Sequence, residues 1–68
     1  SRAHAVLTER NEGGFLVSVR APITNRKGAD TLCRQFLTGG GRSAAAGIDH
    51  LPAEEVDKFV QKFSLTYS

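Results

Sequence analysis

The stretch from Thr38 to Gly47, TGGGRSAAAG, constrains the fold of this chain more than any other. Glycine is disfavoured in regular elements by about 0.5–1 kcal/mol relative to alanine, so three in succession favour a loop or a close backbone approach. One interpretation is a flexible linker or a tight turn. The other is an anion site, in which backbone N–H groups and the Arg42 guanidinium hold a phosphate or carboxylate.

The chain before this stretch predicts a β-hairpin followed by a helix. Residues 4–10 contain no Pro or Gly and predict a strand, and residues 15–21 predict a second strand with Val17 and Val19 on one face and Ser18 and Arg20 on the other. The sequence NEGG between the two strands is a turn signal. Pro22 ends the second strand because it cannot donate a ladder hydrogen bond. Residues 29–37 have helical periodicity. The residues that share its apolar face are Ala29, Leu32, Cys33 and Phe36.

The chain after the stretch predicts a third strand and a second helix. Residues 45–49 are typical of a strand, and Pro52 suits the first position of a helix. The apolar face of that helix comprises Val56, Phe59, Val60 and Phe63. Residues 64–67 are expected to form a closing strand. The order β-β-α-(Gly loop)-β-α-(β) predicts an α/β (α+β) fold, with two helices packed on a small mixed sheet.

Composition limits the classes of protein to which the chain can belong. Its 68 residues are enough for one small domain, and a net charge of +2 is too mild to indicate a nucleic-acid binder. The single cysteine excludes an internal disulfide and fits a reducing, cytoplasmic setting. No apolar run approaches the roughly 18 residues of a membrane span, so no membrane partner is expected. Because the chain begins with Ser1, we expect residues 1–68 to be a fragment of a longer protein.

Three polar side chains are candidates for binding an anion. Arg42 follows the glycine triplet and carries a bidentate donor. Ser18 and Arg20 are two residues apart on the second strand and therefore share a face. If that face turns toward the glycine stretch, these side chains converge; if it faces solvent alone, they are surface residues. The histidines, the cysteine and the carboxylates show no spacing typical of a metal or catalytic site.

Together these residues resemble a known family. The strand Val17-Ser18-Val19-Arg20, a helix ending at Phe36 and the sequence GGGRSAAAG over residues 39–47 are similar to the DHH-associated C-terminal domain (type 1) of DHH phosphoesterases. That family carries a V-S-x-R strand and a Gly-Gly-Gly-His-x-x-Ala-Ala/Ser-Gly signature. The resemblance extends over about residues 15–63.

The resemblance implies a substrate-binding domain. Enzymes of this family hydrolyse phosphodiester or phosphoanhydride bonds, and their manganese ions and catalytic ligands lie in a separate N-terminal DHH domain. The C-terminal domain closes over that site, and the residues that would hold the substrate are Gly39, Gly40, Gly41, Arg42, Ser18 and Arg20. The implied partners are a phosphorylated small molecule or short oligonucleotide and the N-terminal DHH domain of the same protein. This chain alone, without catalytic metal ligands, is not expected to be a hydrolase.

Two positions depart from the family pattern. Arg42 replaces the usual His and cannot release a proton at neutral pH, so the change preserves anion binding but not proton donation. Thr38 stands where many members have a fourth glycine.

Two alternative interpretations of the chain stay open. The sequence GGGR also resembles the tRNA-binding C-terminal domain of alanyl-tRNA synthetases, although the spacing after Arg42 follows the phosphoesterases. The second alternative is a module that binds no ligand, in which the glycines form a structural turn and the helices support oligomerisation.

Overall fold

The fold is a four-stranded antiparallel sheet with two helices, in a computed structural model that describes residues 3–22, 24–25 and 27–67. The strands are β1 (His4–Glu9), β2 (Phe15–Arg20), β3 (Gly39–Gly41) and β4 (Ala45–Leu51). The helices are α1 (Ala29–Cys33) and α2 (Val56–Thr66), and a 3-10 turn over Ala53–Glu55 precedes α2. The predicted fold class, a small sheet with two helices, is confirmed.

The strands lie in the order β1-β2-β4-β3, and every pairing is antiparallel. The sequence had suggested a mixed sheet, with both parallel and antiparallel pairs, and that prediction is wrong. The reason lies in the connection between β3 and β4: Arg42 and Ala45 exchange backbone hydrogen bonds across a two-residue turn. Such a tight turn reverses the chain, whereas a parallel pair needs a crossover of a dozen or more residues.

The core lies on one face of the sheet. Val17 and Val19 of β2 and Ile48 of β4 are buried against the helical layer. The residues buried with them are Ala29, Leu32 and Cys33 of α1, Phe36 in the turn after α1, and Phe59 of α2. On the other face, Val6 is 59% and Leu16 48% exposed. Within the described part of the chain, both helices thus cover the same side of the sheet, and we call the uncovered side the open face.

Three of the predicted elements differ from the observed ones. The glycine triplet is the edge strand β3 rather than a loop, and α1 ends at Cys33 rather than at residue 37. The two differences share a cause, because tight backbone turns from Cys33 to Phe36 and from Phe36 to Gly39 bring the triplet back beside β4. The expected closing strand over residues 64–67 is wrong, since α2 continues to Thr66. There the Phe63 ring packs on both Phe59 and Tyr67 at helical spacing, which outweighs local strand propensity.

Candidate anion-binding site

One row of residues crosses the open face at the end of β2. Arg20 pairs with His4 on β1 and with Ala45 on β4. Arg42 extends the row, because its N–H donates to the Ala45 carbonyl at 2.9 Å and its own carbonyl accepts from the Ala45 N–H at 3.2 Å. We call His4, Arg20, Ala45 and Arg42 the cation row. Neighbouring strands are about 4.8 Å apart, so the Arg20 and Arg42 backbones lie about 10 Å apart with one methyl side chain between them.

A second row lies beside the first on the same face. Ser18 pairs with Val6 on β1 and with Gly47 on β4, and Gly47 pairs with Gly40 on β3. We call these four residues the glycine row. Because Ser18 precedes Arg20 by two residues, the two rows share a face. The sheet register therefore brings Ser18, Arg20, Gly40 and Arg42 to one surface. The face that carries Ser18 and Arg20 thus includes part of the glycine stretch.

The three glycines of β3 have different structural roles. A Cβ at Gly39 would overlap the Cys33 carbonyl, so helix α1 requires a glycine there. Gly41 has a φ of +132°, and a Cβ would collide with the Ala46 backbone. At Gly40, by contrast, a Cβ would meet nothing within 4 Å. The fold thus explains Gly39 and Gly41, while Gly40 leaves an uncovered strip of backbone beside Gly47.

The backbone N–H groups of the triplet are largely used by the fold. The Gly39 N–H donates to the Phe36 carbonyl at 3.0 Å. Since Arg42 and Ala45 exchange both of their bonds, the alternation of an antiparallel ladder makes Gly40 and Gly47 the next hydrogen-bonded pair. The expected cradle of free N–H groups is therefore not formed by Gly39 or Gly40. An anion on this face would be held chiefly by side chains.

Arg34 is a neighbour of the site that the sequence did not single out. Its Nη2 atom donates to the Gly41 carbonyl at 3.3 Å, and its Nη1 atom lies 3.5 Å from Asp30 Oδ2. The side chain is 62% exposed. Arg34 follows Asp30 by four residues, a spacing typical of an ion pair on a helix surface. In the sequence, the one feature that indicates a place near β3 is its position four residues before Thr38. Arg34 anchors the outer edge of β3, and its charge is partly balanced by Asp30.

Thr38 has a structural role at the other end of β3. Its Oγ1 atom accepts the His50 N–H at 2.7 Å and donates to the His50 carbonyl at 3.1 Å, while its carbonyl accepts the Asp49 N–H at 3.3 Å. These bonds lie where β4 has an irregular register with β2, between the pairs that Ile48 and Leu51 make. A glycine at position 38 would lack the hydroxyl and could make neither of its hydrogen bonds to His50.

The charges around the two rows favour an anion. The chain has seven carboxylates, and none stands in either row. They are Glu9, Glu12, Asp30, Asp49, Glu54, Glu55 and Asp57. Throughout the described ranges, no three His, Cys, Asp or Glu side chains are grouped so that they could hold a metal ion.

Cys33, the last residue of α1, lies apart from this surface and is buried in the core. Burial, with a smaller contribution from Asp30, raises the pKa of its thiol to about 11. The thiol is therefore protonated at neutral pH, and a protonated thiol is a poor nucleophile and metal ligand.

Comparison of the chain with protein-family models, with curated proteins and with solved structures found no match. Among the residues that the structure describes, no helix has the length and apolar character needed to cross a bilayer. The two rows of the open face, with the sequence pattern of Ser18, Arg20 and residues 39–47, are therefore the features of this chain that bear on its function.

Proposed function

We propose that this chain is the substrate-binding domain of a DHH-family phosphoesterase and that its open face holds the phosphate groups of a phosphorylated small molecule or short oligonucleotide. The observation that supports this proposal is the position of Arg20 and Arg42 on either side of Ala45, beside the uncovered strip at Gly40 and Gly47. As part of the same proposal, the N-terminal DHH domain is its partner and the cytoplasm is its compartment.

The two arginines suit phosphate because of their geometry and charge. A guanidinium donates two parallel hydrogen bonds to a phosphate, and each arginine side chain is longer than half the distance between the two backbones. Ser18, in the adjacent row, adds a hydroxyl donor. Because the face is exposed to solvent, added salt weakens these contacts.

The same residues indicate which part of the proposed reaction this chain would perform. Arg42 stays protonated at neutral pH, so it binds and orients an anion without exchanging protons. In the proposed whole protein, manganese in the N-terminal domain would supply the activation of water for hydrolysis. The residues of this chain bind and orient the phosphate, and the chain by itself is expected to show no turnover.

Chemical-shift mapping of the labelled chain tests the proposal, with pyrophosphate and a dinucleotide as ligands. We expect the largest shifts at Ser18, Gly40, Arg42 and Gly47. Arg42→Ala should weaken binding about tenfold, as expected for a charge-assisted hydrogen bond of about 1.5 kcal/mol. Arg10→Ala is the matched control, since it removes the same charge beyond the far end of β1, next to the hairpin turn, and should change the affinity less than twofold.

The other interpretations give different results in the same experiment. A tRNA-binding module would prefer structured RNA to both ligands, and its affinity would fall steeply with salt concentration. A module without a ligand would show no saturable shifts, and Arg42→Ala would behave like Arg10→Ala. Shifts confined to the helical side of the sheet would also contradict the proposal.

A further inference from the structure

The cation row continues beyond the two arginines to His4. His4 pairs directly with Arg20, and directly opposed residues have Cβ atoms about 5 Å apart. Three strand spacings separate His4 from Arg42, so the row is about 15 Å long and runs across the strands. His4 is exposed, and its imidazole carries at least one N–H donor in either charge state. The row thus presents three donor side chains in a line, with no carboxylate among them.

The Phe and Tyr side chains of the described residues all lie away from this row. Phe36, Phe59, Phe63 and Tyr67 form a continuous packed series in the helical layer, with ring centroids 5.7, 6.1 and 5.3 Å apart. Phe15 packs against the core from β2. Single-stranded nucleic acids are usually bound by stacking their bases on such rings. The open face, over the residues that the structure describes, offers no Phe, Tyr or Trp for stacking.

We propose that the cation row recognises a chain of linked phosphates that lies across the strands, that His4 contacts its outer end, and that the bases of a nucleotide ligand contribute little. This inference rests on the proposed function, because it concerns the same face, and it narrows the substrate class. Arg20 and Arg42 bind the inner phosphates above Ala45. A ligand long enough to reach His4 gains a contact that a shorter one lacks.

Titration calorimetry at one pH and one ionic strength tests the inference. The ligands are inorganic phosphate, pyrophosphate, tripolyphosphate, a four-nucleotide oligonucleotide and its abasic analogue with the same number of phosphates. We expect affinity to rise at least tenfold from phosphate to tripolyphosphate, and the abasic analogue to bind within threefold of the normal oligonucleotide. His4→Ala should weaken tripolyphosphate binding about fivefold and change pyrophosphate binding less than twofold.

Thr8→Ala is the matched control, since Thr8 lies on the same strand and the same face but outside both rows. It should leave every affinity unchanged, and an amide spectrum of each variant verifies that the fold is intact. An abasic analogue that binds more than tenfold more weakly would overturn base independence, and an unchanged tripolyphosphate affinity in His4→Ala would overturn the contact by His4. In both cases the proposed function would stand if pyrophosphate still binds in an Arg42-dependent way. If no phosphate ligand binds the face, both proposals fail.

Discussion

Adjacent glycines of β3 should respond in opposite ways to the same substitution. Gly39→Ala places a Cβ on the Cys33 carbonyl, an obstacle in the backbone that no side-chain movement relieves, so we expect a loss of about 3 kcal/mol in the free energy of unfolding. Gly40→Ala meets nothing within 4 Å and should cost nothing, or stabilise by about 0.5–1 kcal/mol. Urea denaturation measures both. Equal losses in the two variants would contradict the assignment of different roles.

The same pair of glycines shows what a sequence can and cannot predict at a site. The triplet indicated a close backbone approach, and one exists, but at Gly39 it is to α1 rather than to a ligand. Alternation along β2 placed Ser18 and Arg20 on one face. Arg42 lies in their row because of the turn from Arg42 to Ala45 and the pairing of β2 with β4. Neither feature can be recognised from the local sequence.

At the scale of elements, the irregular segment of β4 depends on the hydroxyl of Thr38. Thr38→Val keeps the shape of the side chain but removes the acceptor of the His50 N–H, at 2.7 Å, and the donor to its carbonyl. We expect a loss of about 1–2 kcal/mol in the free energy of unfolding, since a backbone donor loses its partner. Amide hydrogen exchange at His50 should accelerate in parallel.

Thr8→Val is the matched control for this prediction. Thr8 is an exposed strand residue outside both the core and the two rows, and valine is favoured in strands. The control should leave both stability and His50 exchange unchanged. If Thr38→Val and Thr8→Val behave alike, the hydrogen bonds of Thr38 do not support β4.

Elements with a clear period were predicted well, and elements decided by tertiary contacts were not. The hairpin of β1 and β2 follows from a period of two, and the burial of Phe59 on α2 follows from a period of 3.6. Val60, which the same period placed on the apolar face of α2, is 49% exposed, so that part of the prediction is wrong. A strand of three glycines has no such pattern, because it has no side chains to alternate. The end of α2 was predicted as a strand because the packing of Phe63 on Tyr67 depends on the helix itself.

For the whole molecule, the helices pack on one side of the sheet, so the residues of the core and the residues of the proposed binding surface lie on opposite faces. The buried face holds β2 and β4 to α1 and α2 through Val17, Ile48 and Phe59. Over the described residues, the side chains of the cation row lie outside this core, so Arg42→Ala should weaken the proposed phosphate binding without changing stability. A lower affinity in such a variant can therefore be attributed to a lost contact with the ligand and not to unfolding.

Stability should also depend on pH through the buried thiol of Cys33. Burial raises the pKa of this thiol from 9.0 to about 11, whereas the unfolded chain exposes it to water. Between pH 9 and 11 the unfolded state therefore loses a proton that the folded state keeps, and the free energy of unfolding falls as pH rises. Below pH 9 both states hold the proton and this contribution is constant. Burial raises the pKa of Tyr67 as well, which adds a decline of the same sign.

Urea denaturation across pH 8–11 tests this contribution with two core variants. Cys33→Ala loses buried contacts and is less stable throughout, but it lacks the thiol, so its decline above pH 9 should be shallower than that of the unmodified chain. Val17→Ala is the control: Val17 is buried in the same core and has no titrating group, so the variant should lose stability while keeping the full decline. Parallel declines in all three proteins would show that Cys33 is not shielded from water in the folded state.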